Sequence, residues 1–215
     1  SAAGCDVCPV PTGLFSSHTA FPGWYMHDTT AMLEDYLAAW KNIGVEIDAV
    51  YSGFLGAPEQ VDRIRDLYAM YPAALRVVDP VMADHGKVYP TYTPELCDAM
   101  AELACGADIL TPNLTEAAII LGEPIGEDWA GTDISDEEAH RLVDALVAKG
   151  AKHVVLKGIQ REGETCIRNF VGGADMDVVE VSNEYVPYML HGTGDLYASC
   201  LLAAVMAGRS LEEAV

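Results

Sequence analysis

Apolar and polar positions along this chain follow two rhythms. Short β-like runs lie at residues 6–10, 47–51, 75–78, 108–110 and 153–156. Two further runs, 165–171 and 178–181, are close enough to pair as a hairpin. Helical patterns separate the first five. Asp28 can cap a helix in which Met32, Leu33, Tyr36, Leu37, Trp40 and Ile43 form one apolar stripe. Pro58 opens a second helix with Val61, Ile64, Leu67 and Tyr71 on one side, and Pro94 opens a third. A short helix follows at 115–121, and Ser135 with Glu138 reads as the capping box of another. The last, at 196–207, is apolar nearly all round, so it is expected to be buried with its N-terminus inside the molecule.

Strands alternating with helices predict an α/β fold in three layers, a mostly parallel sheet with helices on both faces and right-handed crossovers. No linker, repeat or charge block divides the 215 residues, so a single domain over 1–215 is expected. In such sheets ligands collect at the carboxyl ends of the strands, which directs attention to the loops that follow them.

Composition narrows the partners. Hydrophobic residues make up 51% and charged residues 21%, a globular balance. Twelve basic against 33 acidic residues give a formal charge of −21, a field that repels nucleic acid and anionic lipid surfaces. The longest apolar stretch, 196–208, is shorter than the roughly 20 residues a membrane span needs. A cytoplasmic protein without a leader is expected. Of the six cysteines, Cys5 and Cys8 are spaced like a metal or redox pair, but no second pair completes a zinc site, and structural thiols are expected.

Chemistry concentrates after the strands. Gly192-Thr193-Gly194-Asp195 opens the last helix: two glycines allow close backbone approach, and a helix N-terminus attracts anions. Asp195 there can cap the helix or accept a hydroxyl proton beside a phosphate, and both readings stand on the tetrapeptide alone. Asp79 and Asp84 flank Pro80 to Ala83 directly after a strand, as a turn or as oxygen ligands for a hard cation. Thr111, Asn113 and Glu116 follow another strand, as a capping box or as part of a phosphate site. Lys157 ends yet another, one of few cations available to a polyphosphate. P-loop, GxGxxG and GxSxG signatures are absent, and His27, His85, His140 and His153 show no ligand spacing.

These residues resemble the ribokinase-like superfamily, and within it the pyridoxal/pyridoxamine kinases. The likeness is carried by GLFSSHTAFPGW at 13–24, YSGFLGAPEQ at 51–60, DPVMADHGKVY at 79–89, ADILTPNLTEAAIILG at 107–122 and HGTGD at 191–195, in order along the chain. The resemblance implies transfer of the ATP γ-phosphoryl group to the 5′-hydroxymethyl of pyridoxal, pyridoxamine or pyridoxine by a Mg²⁺-dependent homodimer, with a monovalent cation as a further candidate. It implies Asp195 as catalytic base and Gly192, Thr193 and Gly194 as an anion hole. It further implies Asp79, Thr111, Asn113 and Lys157 at the nucleotide phosphates, and Asp84 and Glu116 at the metal, Glu116 through water. His18, Thr19 and Phe54 would meet the vitamer, Phe54 standing where the family often has tyrosine.

Lys157 departs from the hydroxyl residues of vertebrate-type kinases and is closer to the Lys-Gly of hydroxymethylpyrimidine kinases. A hydroxymethylpyrimidine (phosphate) kinase of thiamine synthesis is therefore the nearest alternative, and a non-catalytic vitamer- or nucleotide-binding protein the rival from another class. Relative to the family, a first strand and helix and the final helices are expected to be missing.

Overall fold

Seven helices and ten strands form among the residues that the computed structural model describes, 2–124, 133–186, 188 and 192–215. The main sheet is built from β3 (Ala49–Ser52), β4 (Leu75–Val78), β7 (Ile109–Leu110), β8 (His153–Ile159), β9 (Cys166–Gly173) and β10 (Met176–Glu184), in the order β10-β9-β8-β7-β4-β3. β3, β4, β7 and β8 run parallel, while β9 and β10 add an antiparallel hairpin at one edge. The expected strands at 47–51, 75–78, 108–110, 153–156, 165–171 and 178–181 are all present within a few residues.

Period-two alternation divides the sheet between two cores. Val78, Leu110, Val154, Leu156 and Phe170 face one side, where they meet α2 (Pro58–Met70), α3 (Pro94–Ala104), α4 (Leu114–Leu121) and α5 (Asp136–Lys149). α1 (Thr30–Ile43) joins that layer through Leu37. The intervening residues Val77, Ile109, Val155 and Val171 face the other side, against Leu201 of α6 (Thr193–Met206) and Leu211 of α7 (Leu211–Ala214). The result is the expected three-layer α/β/α arrangement. No helix among the described residues is long and apolar enough to cross a membrane.

Several expectations fail for identifiable reasons. Residues 6–10 form no strand: Pro9 and Pro11 bracket Val10 and cannot donate to a ladder, and the segment is held instead by Tyr36 Oη donating to the Pro9 carbonyl at 2.8 Å. Asp28 is not the cap of α1. That position falls to Thr29, while Asp28 accepts from the Thr30 amide and hydroxyl at 2.9 and 2.5 Å. Leu33 and Leu37 are buried, but Met32 and Ile43 remain exposed, so the stripe is narrower than its spacing implies. Ser135 caps α5, yet Glu138 does not reach back to complete the box and pairs with Arg141 instead.

α6 is the largest correction. Its apolar circumference is not enclosed, because only the side carrying Ala198 and Leu201 packs on the sheet; Leu196 and Met206 face solvent. Its N-terminus, with Gly192, Thr193 and Asp195 exposed, therefore opens outward. The six thiols are unpaired, and only Cys97 is buried. Two small hairpins escape the sequence pattern: β1 (Gly13–Phe15) with β2 (Met26–Asp28), and β5 (Ala83–Asp84) with β6 (Lys87–Val88). Their strands are too short to show periodicity.

Backbone geometry gives a stability test. Gly122 and Gly150 both end helices with positive φ, +73° and +127°. A Cβ at Gly122 meets nothing, whereas one at Gly150 would lie 2.5 Å from the Cys105 carbonyl oxygen. Gly122→Ala is expected to cost about 1 kcal/mol, and Gly150→Ala about 2 kcal/mol or more, in urea unfolding. Equal costs would contradict the packing described around Cys105.

Candidate active site

Four parallel strand ends carry one buried polar knot. Their register is continuous at the backbone: the Asp79 amide donates to Ser52 O at 2.8 Å, the Thr111 amide to Val78 O at 3.0 Å, and the Lys157 amide to Pro112 O at 2.9 Å. Residues distant in sequence are thereby neighbours. Asp79 is wholly buried. Its Oδ1 accepts from Lys157 Nζ at 2.5 Å and from Thr111 Oγ1 at 3.1 Å, and its Oδ2 accepts from Tyr51 Oη at 3.3 Å. A buried carboxylate requires such partners, since burying a charge without them is prohibitively costly.

Lys157 is aimed by a local irregularity. The β8–β9 register shifts between Leu156 and Ile159, a bulge in which Gly158 adopts φ +81°. The freed Gly158 amide donates to Asn169 Oδ1 at 3.1 Å. Lys157 consequently leaves the ladder and reaches across to the head of α6, where a Cβ added at Gly194 would sit 3.8 Å from its Nζ. Gly192, at φ +80°, turns the chain into that helix. Gly194, Asp195, Lys157, Thr111 and Asp79 thus share one edge of the sheet.

A second cluster adjoins it. Asn113 and Glu116 form a reciprocal capping box on α4: Asn113 Oδ1 accepts from the Glu116 amide at 2.9 Å, and Glu116 Oε2 accepts from the Asn113 amide at 2.8 Å. Glu116 Oε1 also accepts from the Met82 amide at 3.3 Å, and Asn113 Nδ2 donates to Ala83 O at 2.8 Å. These bonds fasten the loop after β4 to the start of α4. Asp84 stands exposed on the β5–β6 hairpin, which Thr115 Oγ1 anchors by accepting from the Gly86 amide at 2.9 Å.

Electrostatics join the clusters. Burial pushes Glu116 up to about 8, with Asp79 adding to the shift and Lys157 opposing it. Asp195, solvent-exposed yet partly desolvated, is raised above the usual carboxylate range first by that partial desolvation and then by Asp79, again against Lys157. The phenols of Tyr51 and Tyr89 are raised by burial first; Asp79, Asp195 and Glu116 then act on both, and Asp84 on Tyr89. Tyr51 thus lies in the field of three of these carboxylates and Tyr89 in that of four.

Of the expected vitamer residues, His18 and Thr19 lie on a separate arm, while Phe54 follows β3. His18 and Thr19 are exposed in the loop joining β1 to β2, where His18 Nδ1 accepts from the Ala20 amide at 3.1 Å. From that hairpin the link inward is aromatic: Phe15 packs edge-on against Phe54 at 5.2 Å, and Phe54 against Tyr92 at 5.9 Å. Buried Gln60 fixes the arm, its amide nitrogen donating to Thr12 O at 2.8 Å and Thr30 Oγ1 at 2.9 Å. His191 lies outside the described residues.

Sequence reasoning missed Tyr51, Tyr89 and Gln60. A tyrosine one residue before a strand's end, followed by Ser-Gly, is the signal that could have found Tyr51. Among the described residues no three His, Cys, Asp or Glu side chains converge as a preformed metal cluster.

Comparison with known proteins agrees with this geometry. The family model for phosphomethylpyrimidine kinase matches residues 8–215. A pyridoxal kinase PdxY of Haemophilus influenzae is 32% identical, the match covering 98% of this chain and 75% of that protein. A Bacteroides thetaiotaomicron protein described as a phosphomethylpyrimidine kinase, crystallised with pyridoxal, superposes with a TM-score of 0.89 at 33% identity, over 98% of this chain and 73% of that one. Pyridoxal kinase from Lactobacillus plantarum superposes with a TM-score of 0.86 at 27% identity, over 99% and 74%. The chain belongs to the phosphomethylpyrimidine kinase family, on its pyridoxal kinase branch.

Proposed function

We propose that this protein is an ATP-dependent kinase that phosphorylates the 5′-hydroxymethyl group of a B6 vitamer, with residues 1–215 acting as one kinase domain. The observation that carries this reading is the placement of Lys157 between buried Asp79 and the head of α6, beside Asp195. A cation and a helix N-terminus face each other across a space bordered by a carboxylate, which suits phosphoryl transfer to an alcohol. The relatives named pyridoxal kinase, and the neighbour crystallised with pyridoxal, support the vitamer as acceptor.

In this reading Asp195 takes the acceptor hydroxyl proton, and its raised pKa strengthens it as a base. Amides of Gly192, Thr193 and Gly194, with the α6 dipole, stabilise charge developing on the transferred phosphoryl oxygens. Lys157 spends one N–H on Asp79 and turns the others toward that position. Thr111 and Asn113 order the loop beside the nucleotide phosphates. His18 and Thr19 on the hairpin arm, with Phe54 from the loop after β3, hold the vitamer ring.

The oxygen-only donor set fits Mg²⁺, which commonly binds through one or two carboxylates together with substrate phosphates and waters. Asp84 would hold it directly. Glu116, whose oxygens already accept two backbone amides, would hold it through water. When bound, the ion neutralises phosphate charge. Exposed Leu14, Phe21 and Tyr25 on the hairpin arm support a homodimer.

Asp195→Asn is expected to lower kcat by about 10²–10⁴-fold while ATP affinity, measured by calorimetry, stays within a few-fold. Rates with pyridoxal should exceed those with hydroxymethylpyrimidine. A strong preference for the pyrimidine would favour a thiamine-pathway kinase, and binding without any turnover in Mg²⁺ and ATP would favour a binding protein.

Glu116 supplies a second test. Folded, it keeps its proton up to about 8; unfolded, it releases it near the ordinary 4.5. The folded state thus binds more protons between those values, and stability falls as pH rises through that window. The unliganded protein should lose on the order of a few kcal/mol there relative to Glu116→Gln in urea unfolding. Parallel pH curves would contradict the burial assigned to Glu116.

A further inference from the structure

The groups assigned to the acceptor ring stand on two elements: His18 and Thr19 on the β1–β2 hairpin, and Phe54 in the loop after β3. One fully buried side chain joins them. Gln60, in the first turn of α2, accepts from the Gly56 amide through Oε1 at 2.8 Å. Its Nε2 faces three oxygens: Thr12 O at 2.8 Å, Thr30 Oγ1 at 2.9 Å and Asp28 Oδ1 at 3.2 Å. Thr12 leads into β1 and Asp28 ends β2, so a single carboxamide holds both feet of the hairpin against the loop that carries Phe54. We propose that Gln60 is a positioning residue that sets affinity for the acceptor ring, by fixing how far His18 and Thr19 stand from Phe54.

A carboxamide suits this place in a way a carboxylate does not. It offers one acceptor to an N–H and two hydrogens to oxygens, whereas a carboxylate would set lone pairs against three oxygens, that of Asp28 among them. Around it the hairpin is closely seated. Thr12 Oγ1 donates to Phe54 O at 2.7 Å, and Thr29 Oγ1 donates to Pro11 O at 2.6 Å. A Cβ added at Gly56 would lie 2.9 Å from Met26 Cε and 3.3 Å from Thr12 O. The tip that carries His18 and Thr19 is exposed, so its placement depends on the feet. A ring held between that tip and Phe54 would register any play at Gln60, since a misplacement of about 1 Å can cost about 10²-fold. The inference rests on the kinase reading for its assignment of the acceptor ring to these residues. The groups assigned to the nucleotide, Lys157 and the head of α6, lie outside the Gln60 network.

Gln60→Met keeps the side-chain volume and removes the hydrogen bonds. It is expected to raise KM for pyridoxal about 10- to 100-fold, while KM for ATP and kcat at saturating pyridoxal stay within about threefold. Amide hydrogen exchange should quicken over Gly13–Phe15 and Met26–Asp28 and stay unchanged in the main sheet. A general loosening would instead move both KM values and exchange throughout the chain. If Gln60→Met does not fold, Thr12→Val, which removes the hydroxyl bond to Phe54 O, should raise KM for pyridoxal several-fold with KM for ATP unchanged. A pyridoxal KM within about twofold of the unaltered protein overturns the proposal, as do two KM values that rise together or hairpin exchange that does not change. If the unaltered protein prefers hydroxymethylpyrimidine, the vitamer reading falls, and a rise in the KM for that substrate alone supports the role of Gln60. Calorimetry that finds neither ring bound to the unaltered protein removes both.

Discussion

A carboxylate sealed inside a protein needs a counter-charge within reach, and the Asp79–Lys157 pair meets that need where four strands end. Thr111 from the end of β7 and Tyr51 from the end of β3 complete the set, so one side chain registers β3, β4, β7 and β8 against one another. Removing one partner of such a pair typically costs about 3–5 kcal/mol, because the other charge stays buried and unpaired. The same pair holds a cation toward Gly194 and Asp195. Stability of the sheet edge and placement of the chemistry are one constraint.

Layering brings the remaining pieces to that edge. Alternate residues of each strand feed two cores: α1 to α5 cover one face, and α6 lies on the other with its head level with the strand ends. Because α6 packs through one side only, its N-terminus meets solvent, where a nucleotide can enter. A chain with net charge −21 holds few cations for a polyphosphate. Helix dipole, backbone amides and one placed lysine answer that shortage locally, and a hard cation carried with the substrate would answer the rest.

Much of this was legible from residue order. The strand runs at 75–78 and 153–156 are aliphatic and continuous, as strands buried on both faces are, and Pro58 and Pro94 mark true helix starts. Asp79, Thr111 and Lys157 could be named because each directly follows or ends such a run. Their mutual contacts could not, because sheet order and not sequence distance makes them neighbours. Tyr51 was hidden since a strand tyrosine reads as β propensity. Asn113 and Glu116 satisfy the capping box that the sequence offered as the bland alternative, and still border the site. The apolar circumference of α6 misled because a periodic pattern reports what a helix can bury, not which neighbours exist to bury it. Residues 6–10 misled because two prolines outweigh an apolar run.

The most direct measurement is a crystal structure of the protein with Mg²⁺, ADP and pyridoxal. The account predicts the 5′-hydroxyl within hydrogen-bond distance of Asp195, the terminal phosphate between the Gly192–Gly194 amides and Lys157 Nζ, and Asp79 still paired with Lys157. Nucleotide bound elsewhere, such as the cleft near Arg76 and Lys152 at the opposite ends of the strands, or a vitamer remote from Asp195, would contradict it.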